Sequence, residues 1–189
     1  MFKIIKRNCL LFAVLLMLVS ISGCGIQDSR LKKDAKAYME MKGLVSEALE
    51  EYYAMLERPR DMVAEDAIGD SETSNYMYFY NKLIKATQIG DTIKSEEFSE
   101  LILMNTRSIF SLQEAYTNYG KFCQAMYLYN QDKSVYYNPE FHERYKNCYA
   151  EYENYNQLFD EYYGKVQEEE DSLNSLGVFE GLHWDSEED

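Results

Sequence analysis

The sequence predicts an all-α fold, an antiparallel four-helix bundle with a long C-terminal helical hairpin (about 95–131 and 139–170) and no sheet. Three observations carry this expectation. Only two of the 189 residues are proline, Pro59 and Pro139, so long stretches run without a helix breaker. Apolar residues recur in steps of three and four, the period of a helix, where a strand would alternate in steps of two. Two segments near the C-terminus repeat that alternation on either side of a short turn, the pattern of two antiparallel helices joined at one end.

The first helix is expected from about Ser29 to Arg58, where Pro59 stops it. Leu31, Ala35, Tyr38, Met41, Val45, Ala48, Tyr52 and Met55 form one stripe along it. Pro59 to Ser74 is acidic, contains Gly69-Asp70-Ser71, and reads as a loop with one helical turn at Met62 to Ala67. A short second helix, about Asn75 to Ile89, is expected to bury Met77, Tyr80, Leu83 and Ile84, with Gly90 placed to end it.

The third helix begins near Ser95, whose hydroxyl suits the free amides of a helix start, with Glu96 and Glu97 set against its positive end. Its stripe is Phe98, Ile102, Asn105, Ile109, Leu112, Tyr116, Tyr119, Cys123, Met126 and Asn130. The fourth starts at Asn138-Pro139-Glu140, with Asn at the cap and Pro at the first helical position. Its stripe is Phe141, Tyr145, Cys148, Tyr152, Tyr155, Phe159, Tyr162 and Val166. Folding the two stripes about the turn pairs Asn130 with Phe141, Met126 with Tyr145 and Cys123 with Cys148. It continues with Tyr119 on Tyr152, Tyr116 on Tyr155, Leu112 on Phe159, Ile109 on Tyr162 and Asn105 on Val166.

The front of the chain, MFKIIKRNCLLFAVLLMLVSISGCG, has a basic start, an apolar run from Cys9 to Val19, and small residues ahead of Cys24. That is the layout of a secretory signal, too short and wrongly flanked for a stable membrane span. Ile21-Ser22-Gly23-Cys24 resembles the lipobox of bacterial lipoproteins. The resemblance implies cleavage before Cys24, a diacylglycerol on its thiol, and a mature chain tied to a cell membrane on its extracytoplasmic face. Two acyl chains supply the attachment that one does not. The expected organisation is a signal peptide over 1–23, a lipid-anchored tether over 24–28, the helical bundle over 29–173 and an acidic tail over 174–189. The mature chain is also similar in length and tyrosine-rich helices to small helical lipoproteins of unknown function.

Removing the signal takes three basic residues and no acidic ones, leaving 166 residues with 16 basic and 33 acidic, a net charge of −17. Such a charge opposes nucleic acid and anionic membrane surface. Next to the anchor the sign reverses: Arg30, Lys32, Lys33 and Lys36 are candidates for headgroup contact, with an ordinary solvated first turn as the alternative.

With Cys9 lost and Cys24 lipidated, Cys123 and Cys148 remain and share a layer. A disulfide between them is expected; it would close a loop of about 25 residues and stabilise by roughly 3 kcal/mol. The alternative is a reduced pair filling a narrow layer. Most tyrosines fall on the stripes and read as core, whereas Tyr127, Tyr129, Tyr149 and Tyr163 lie off them. Tyr136 and Tyr137 sit in the turn, at the end away from the membrane, and are candidates for a partner-binding tip or for capping the bundle.

Chemistry is sparse. His142 and His183 are the only histidines, and His142 reads as a solvated helix-start residue. The run Glu168 to Asp171 lacks the spacing of a calcium loop and reads as a solvated helix end. No metal site, cofactor or catalytic motif is expected. The tail SLGVFEGLHWDSEED holds Val178, Phe179, Leu182 and Trp184 and is expected to fold back on the bundle. The function these features suggest is a non-enzymatic binding or scaffold lipoprotein of the cell envelope with a protein or glycan partner. The alternatives are a small-ligand carrier and an accessory subunit of an envelope enzyme or transporter.

Overall fold

A computed structural model describes residues 2–68 and 75–180, with side chains over 29–64, 76–134 and 137–180. The chain is all-α, and no strand occurs among the described residues. The described residues form five α-helices: α1 (Phe2–Glu57), α2 (Arg60–Ile68), α3 (Asn75–Gly90), α4 (Ser99–Gln131) and α5 (Pro139–Ser175). Short 3-10 turns, Glu96–Phe98 and Lys133–Tyr137, precede α4 and α5.

Two boundaries depart from expectation. α1 runs from Phe2 to Glu57, where the first helix was expected from about Ser29; no proline interrupts it before Pro59. The segment after Pro59, expected as a loop with a single helical turn, contains the nine-residue α2, which makes five helices where four were expected. No helix among the described residues is long and apolar enough to cross a membrane.

The expected row of α1 is buried from Ala35 to Met55, with Leu31 half-buried at its start. α3 is rotated from its expected phase. Phe79, Leu83 and Ala86 are buried, while Met77 and Ile84 are exposed. Gly90 does not end α3 through a left-handed conformation, which among the described glycines belongs to Gly177. It is buried, and a Cβ there would lie 3.3 Å from Met41 Sδ, so its missing side chain lets α1 and α3 approach.

α4 is the most deeply set element, burying fifteen residues over two faces. One face meets α5: Tyr119 packs on Tyr152 with ring centroids 5.1 Å apart, as expected. The other meets α3 and α1, and this overturns one expected layer. Tyr116 stacks on Phe79 at 4.1 Å and lies 6.5 Å from Tyr52, while Tyr155 meets Phe110 edge-on at 6.0 Å. A single stripe describes a helix with one neighbour, and α4 has several.

Contacts between helices run in consistent directions. Tyr52 donates to Asn156 Oδ1 at 2.8 Å and Lys42 pairs with Glu170 at 2.6 Å, so numbers fall along α5 as they rise along α1. Glu47 pairs with Lys82 at 2.8 Å and Glu40 with Lys85 at 3.6 Å, the same opposed sense for α1 and α3. The turn between α4 and α5 therefore lies at the end reached by the C-terminus of α1.

Both ends of α5 are capped. Asn138 accepts from the Glu140 amide at 3.0 Å with Pro139 in the first turn, as expected. At the C-terminus, Gly177 takes φ +72°, its amide donates to Asn174 O at 2.9 Å, and the Val178 amide donates to Leu173 O at 3.2 Å. These two bonds form a Schellman motif, which needs a residue without a left-handed penalty at Gly177. The motif turns the chain back, and Phe179 packs on Tyr38 and Phe98, each at 5.9 Å. The expected return of the tail is met by Val178 and Phe179; Leu182 and Trp184 lie outside the described residues.

Candidate functional site

At the α4–α5 turn the last turns of α4 and the first of α5 flank a half-open cavity of ≈ 280 Å³. Met126 and Tyr129 line it from α4, and Phe141, His142 and Tyr145 from α5. The helical period places these residues together: Met126 and Tyr129 are three apart, and Tyr145 lies four beyond Phe141 and three beyond His142. His142 was expected to be solvated. It is instead half-buried, with Nδ1 shut off from solvent, because its position faces the cavity wall. At the same end Tyr137 is 84% exposed, the largest exposure among the bulky apolar and aromatic residues described. The side chain of Tyr136 lies outside the described residues.

Below the cavity an aromatic cluster joins α2 to the hairpin. Phe122 lies 5.2 Å from Tyr145 and 5.0 Å from Tyr149, and the Arg60 guanidinium sits 5.2 Å from its ring centre. Tyr149 and Tyr163, off the expected stripes, are packed: Tyr149 on Phe122, Tyr163 on Phe159 at 5.3 Å.

Cys123 and Cys148 are both buried, and both are free thiols in this structure. The Cys123 thiol meets the Tyr119 hydroxyl, with Arg60 near. Burial pushes this thiol up to about 11 against the opposing pull of Tyr119 and Arg60, which keeps it protonated and unreactive near neutrality. Cys148 lines an open groove of ≈ 460 Å³ on the hairpin flank with Lys121, Glu143 and Arg144.

The chain matches no family model, no curated protein and no solved structure.

Two buried polar sites at the other end escaped the sequence reading. Asp34 accepts from the Lys94 amide (2.9 Å), the Ser95 amide (2.7 Å) and the Ser95 hydroxyl (2.6 Å). Ser95 therefore does not cap the following helix, since its hydroxyl is turned to Asp34. Burial pushes the Asp34 carboxyl up, but the Ser95 hydroxyl, the two amides and Arg30 outweigh it and hold the group below its ordinary value.

The second site joins three helices. Tyr38 donates to Glu170 and receives from Asn105 Nδ2 at 3.2 Å, and Lys42 completes the Glu170 carboxylate at 2.6 Å. A void of ≈ 40 Å³ lies beside them. Glu170, expected on a solvated helix end, is thus part of an interhelical lock; it continues the inward row of Phe159, Tyr162 and Val166. Asp34 likewise falls between Leu31 and Tyr38 on the buried row of α1, and a charge at an inward position was the signal for both.

Arg30, Lys32, Lys33 and Lys36 are all exposed on the first described turns of α1, and Arg30 donates to Lys94 O at 3.0 Å. The Cys24 side chain lies outside the described residues. No group of three or more metal-ligating side chains occurs among the described residues.

Proposed function

We propose that this chain is a lipid-anchored, extracytoplasmic antiparallel four-helix bundle, with α2 as a cap, that binds an envelope component at its membrane-distal end. The lipobox at Ile21 to Cys24 supports the anchor. The opposed senses of α1 with α3 and with α5 support the bundle and favour an α4–α5 turn at the end far from Cys24. Arg30, Lys32, Lys33 and Lys36, exposed near the anchor, would face anionic headgroups.

The observation that carries the binding role is the aromatic cavity at that far end, the end that also exposes Tyr137. A half-enclosed apolar hollow and an exposed ring at one end of the molecule are the material of a binding hot spot. A carrier would enclose its ligand within the helices, and the enclosed void described beside Tyr38 and Glu170 is ≈ 40 Å³. The tip cavity is open to solvent and at one end, which favours capture from outside over carriage within.

The test is affinity capture from crosslinked membranes by the wild-type chain and by the double variant Tyr137→Ala, Tyr145→Ala. Components held by the wild type are expected to be lost from the variant while its helicity by circular dichroism is kept. Their undiminished recovery would overturn the tip as the binding end.

A further inference from the structure

We infer that the tip cavity is a site for a quaternary ammonium group. This rests on the tip being the binding end and names the chemistry it receives. The walls are three aromatic rings (Tyr129, Phe141, Tyr145), the His142 imidazole and the Met126 thioether. Ring faces carry negative potential and attract cations, and the thioether is polarisable, so such a lining suits a soft, positively charged, apolar-skinned group.

The lining selects among cations. An ammonium or guanidinium group brings N–H donors that want strong acceptors when taken out of water, and no Asp or Glu is among the described residues of the walls. A tetra-alkylated nitrogen has no N–H to satisfy, so burial against rings costs it least. Elsewhere in this chain rings do hold cations: Lys82 Nζ lies 4.0 Å from the Tyr78 ring centre and Lys165 Nζ lies 5.3 Å from that of Tyr162.

Size and field agree. At ≈ 280 Å³ the cavity lies just under the roughly 300–1,000 Å³ of pockets for drug-sized ligands, the scale of a trimethylammonium head with a short stem. On the first turns of α5, Glu140 and Glu143 are balanced by Arg144 and Lys146, so the rings discriminate and the local field does not. The whole-chain charge of −14 favours the approach of a cation over an anion. The group has two sources, a free solute such as choline or a phosphocholine headgroup.

The test uses the detergent-solubilised lipoprotein, in a detergent without choline, titrated by calorimetry and by NMR of the tyrosine rings. The probes are choline, glycerophosphocholine and 3,3-dimethyl-1-butanol, the neutral isostere of choline. Choline is expected to bind at least tenfold more tightly than the isostere, to shift ring signals that vanish in Tyr145→Phe/Tyr129→Phe assignments, and to be lost in Tyr145→Ala and in the cavity-filling Met126→Phe. Glycerophosphocholine binding as well as choline assigns the headgroup source; choline alone assigns the free solute. Equal binding of the neutral isostere, or no binding of choline to the folded wild type, overturns the inference. In either case, components captured through Tyr137 would leave the tip as the binding end, whereas their retention by the Tyr137, Tyr145 double variant would remove that reading as well.

Discussion

Asp34 shows how much one side chain organises. A buried carboxylate with three donors joins α1 to the segment leading into α4. Replacing it with asparagine is expected to cost about 1.5–3 kcal/mol, the worth of hydrogen bonds to a charged group, measured by urea unfolding near neutral pH. The sign with pH follows from its lowered value: the folded form holds the proton less tightly, so its stabilisation is present above the ordinary carboxylate value of 3.8 and is lost as pH falls through the folded value. Wild type and Asp34→Asn should therefore converge in acid, and a constant gap down to the acid transition would contradict this role. The two cysteines differ just as plainly. Cys123 is fully buried with its proton held to about 11, while Cys148 borders an open groove. Alkylation of the folded chain should label Cys148 well before Cys123, and equal rates, or labelling of both only after a reductant is added, as a disulfide requires, would count against the thiol arrangement.

At the scale of elements, the C-terminus of α5 is set by Gly177. Alanine there must adopt a left-handed conformation at about 1–2 kcal/mol, and it would loosen Phe179 from Tyr38 and Phe98. Thermal unfolding of Gly177→Ala should show a lower midpoint, and a variant as stable as the wild type would mean that the turn is not held by this motif. Legibility in the sequence followed the number of neighbours each helix has. α1 presents one buried row and its stripe was readable from Ala35 to Met55; the hairpin boundaries and the Asn138-Pro139 cap were readable because they depend on local chemistry. α3 was misread in phase because it is short and apolar on several sides, so Met77 and Ile84 fit a helical period as well as Phe79 and Ala86. Tyr116 was assigned to α5 because periodicity gives a row without saying which partner it meets. Tyr137 was readable as a tip residue from its place in the turn, but the cavity was not: Tyr129 and His142 lie off the main stripes, and only the tertiary packing of the two helices brings them to one cavity.

For the whole molecule, the tyrosines set an alkaline limit. Burial is the first cause raising Tyr38, Tyr52 and Tyr80 above the ordinary 10.0, with Glu170 adding to it at Tyr38. A raised acid is protonated in the folded chain where the unfolded chain has begun to ionise, so stability is full below pH 10 and falls as pH rises beyond it. Several such groups act together, so the urea midpoint should drop steeply above pH 10, and a flat profile to pH 11 would contradict their burial. Polarity along the bundle is the other property of the whole: the Asp34 and Tyr38 locks tie the end nearest Cys24, and the aromatic cavity opens at the opposite end. The most direct test of the proposed membrane-distal binding tip is a photo-crosslinking amino acid placed at Tyr137, with a control at the exposed Gln88 of α3, in membranes from cells producing the chain. A discrete adduct from position 137, absent from position 88 and lost on adding Tyr145→Ala, is the expected result. Identical adducts from both positions, or none from position 137, would contradict it.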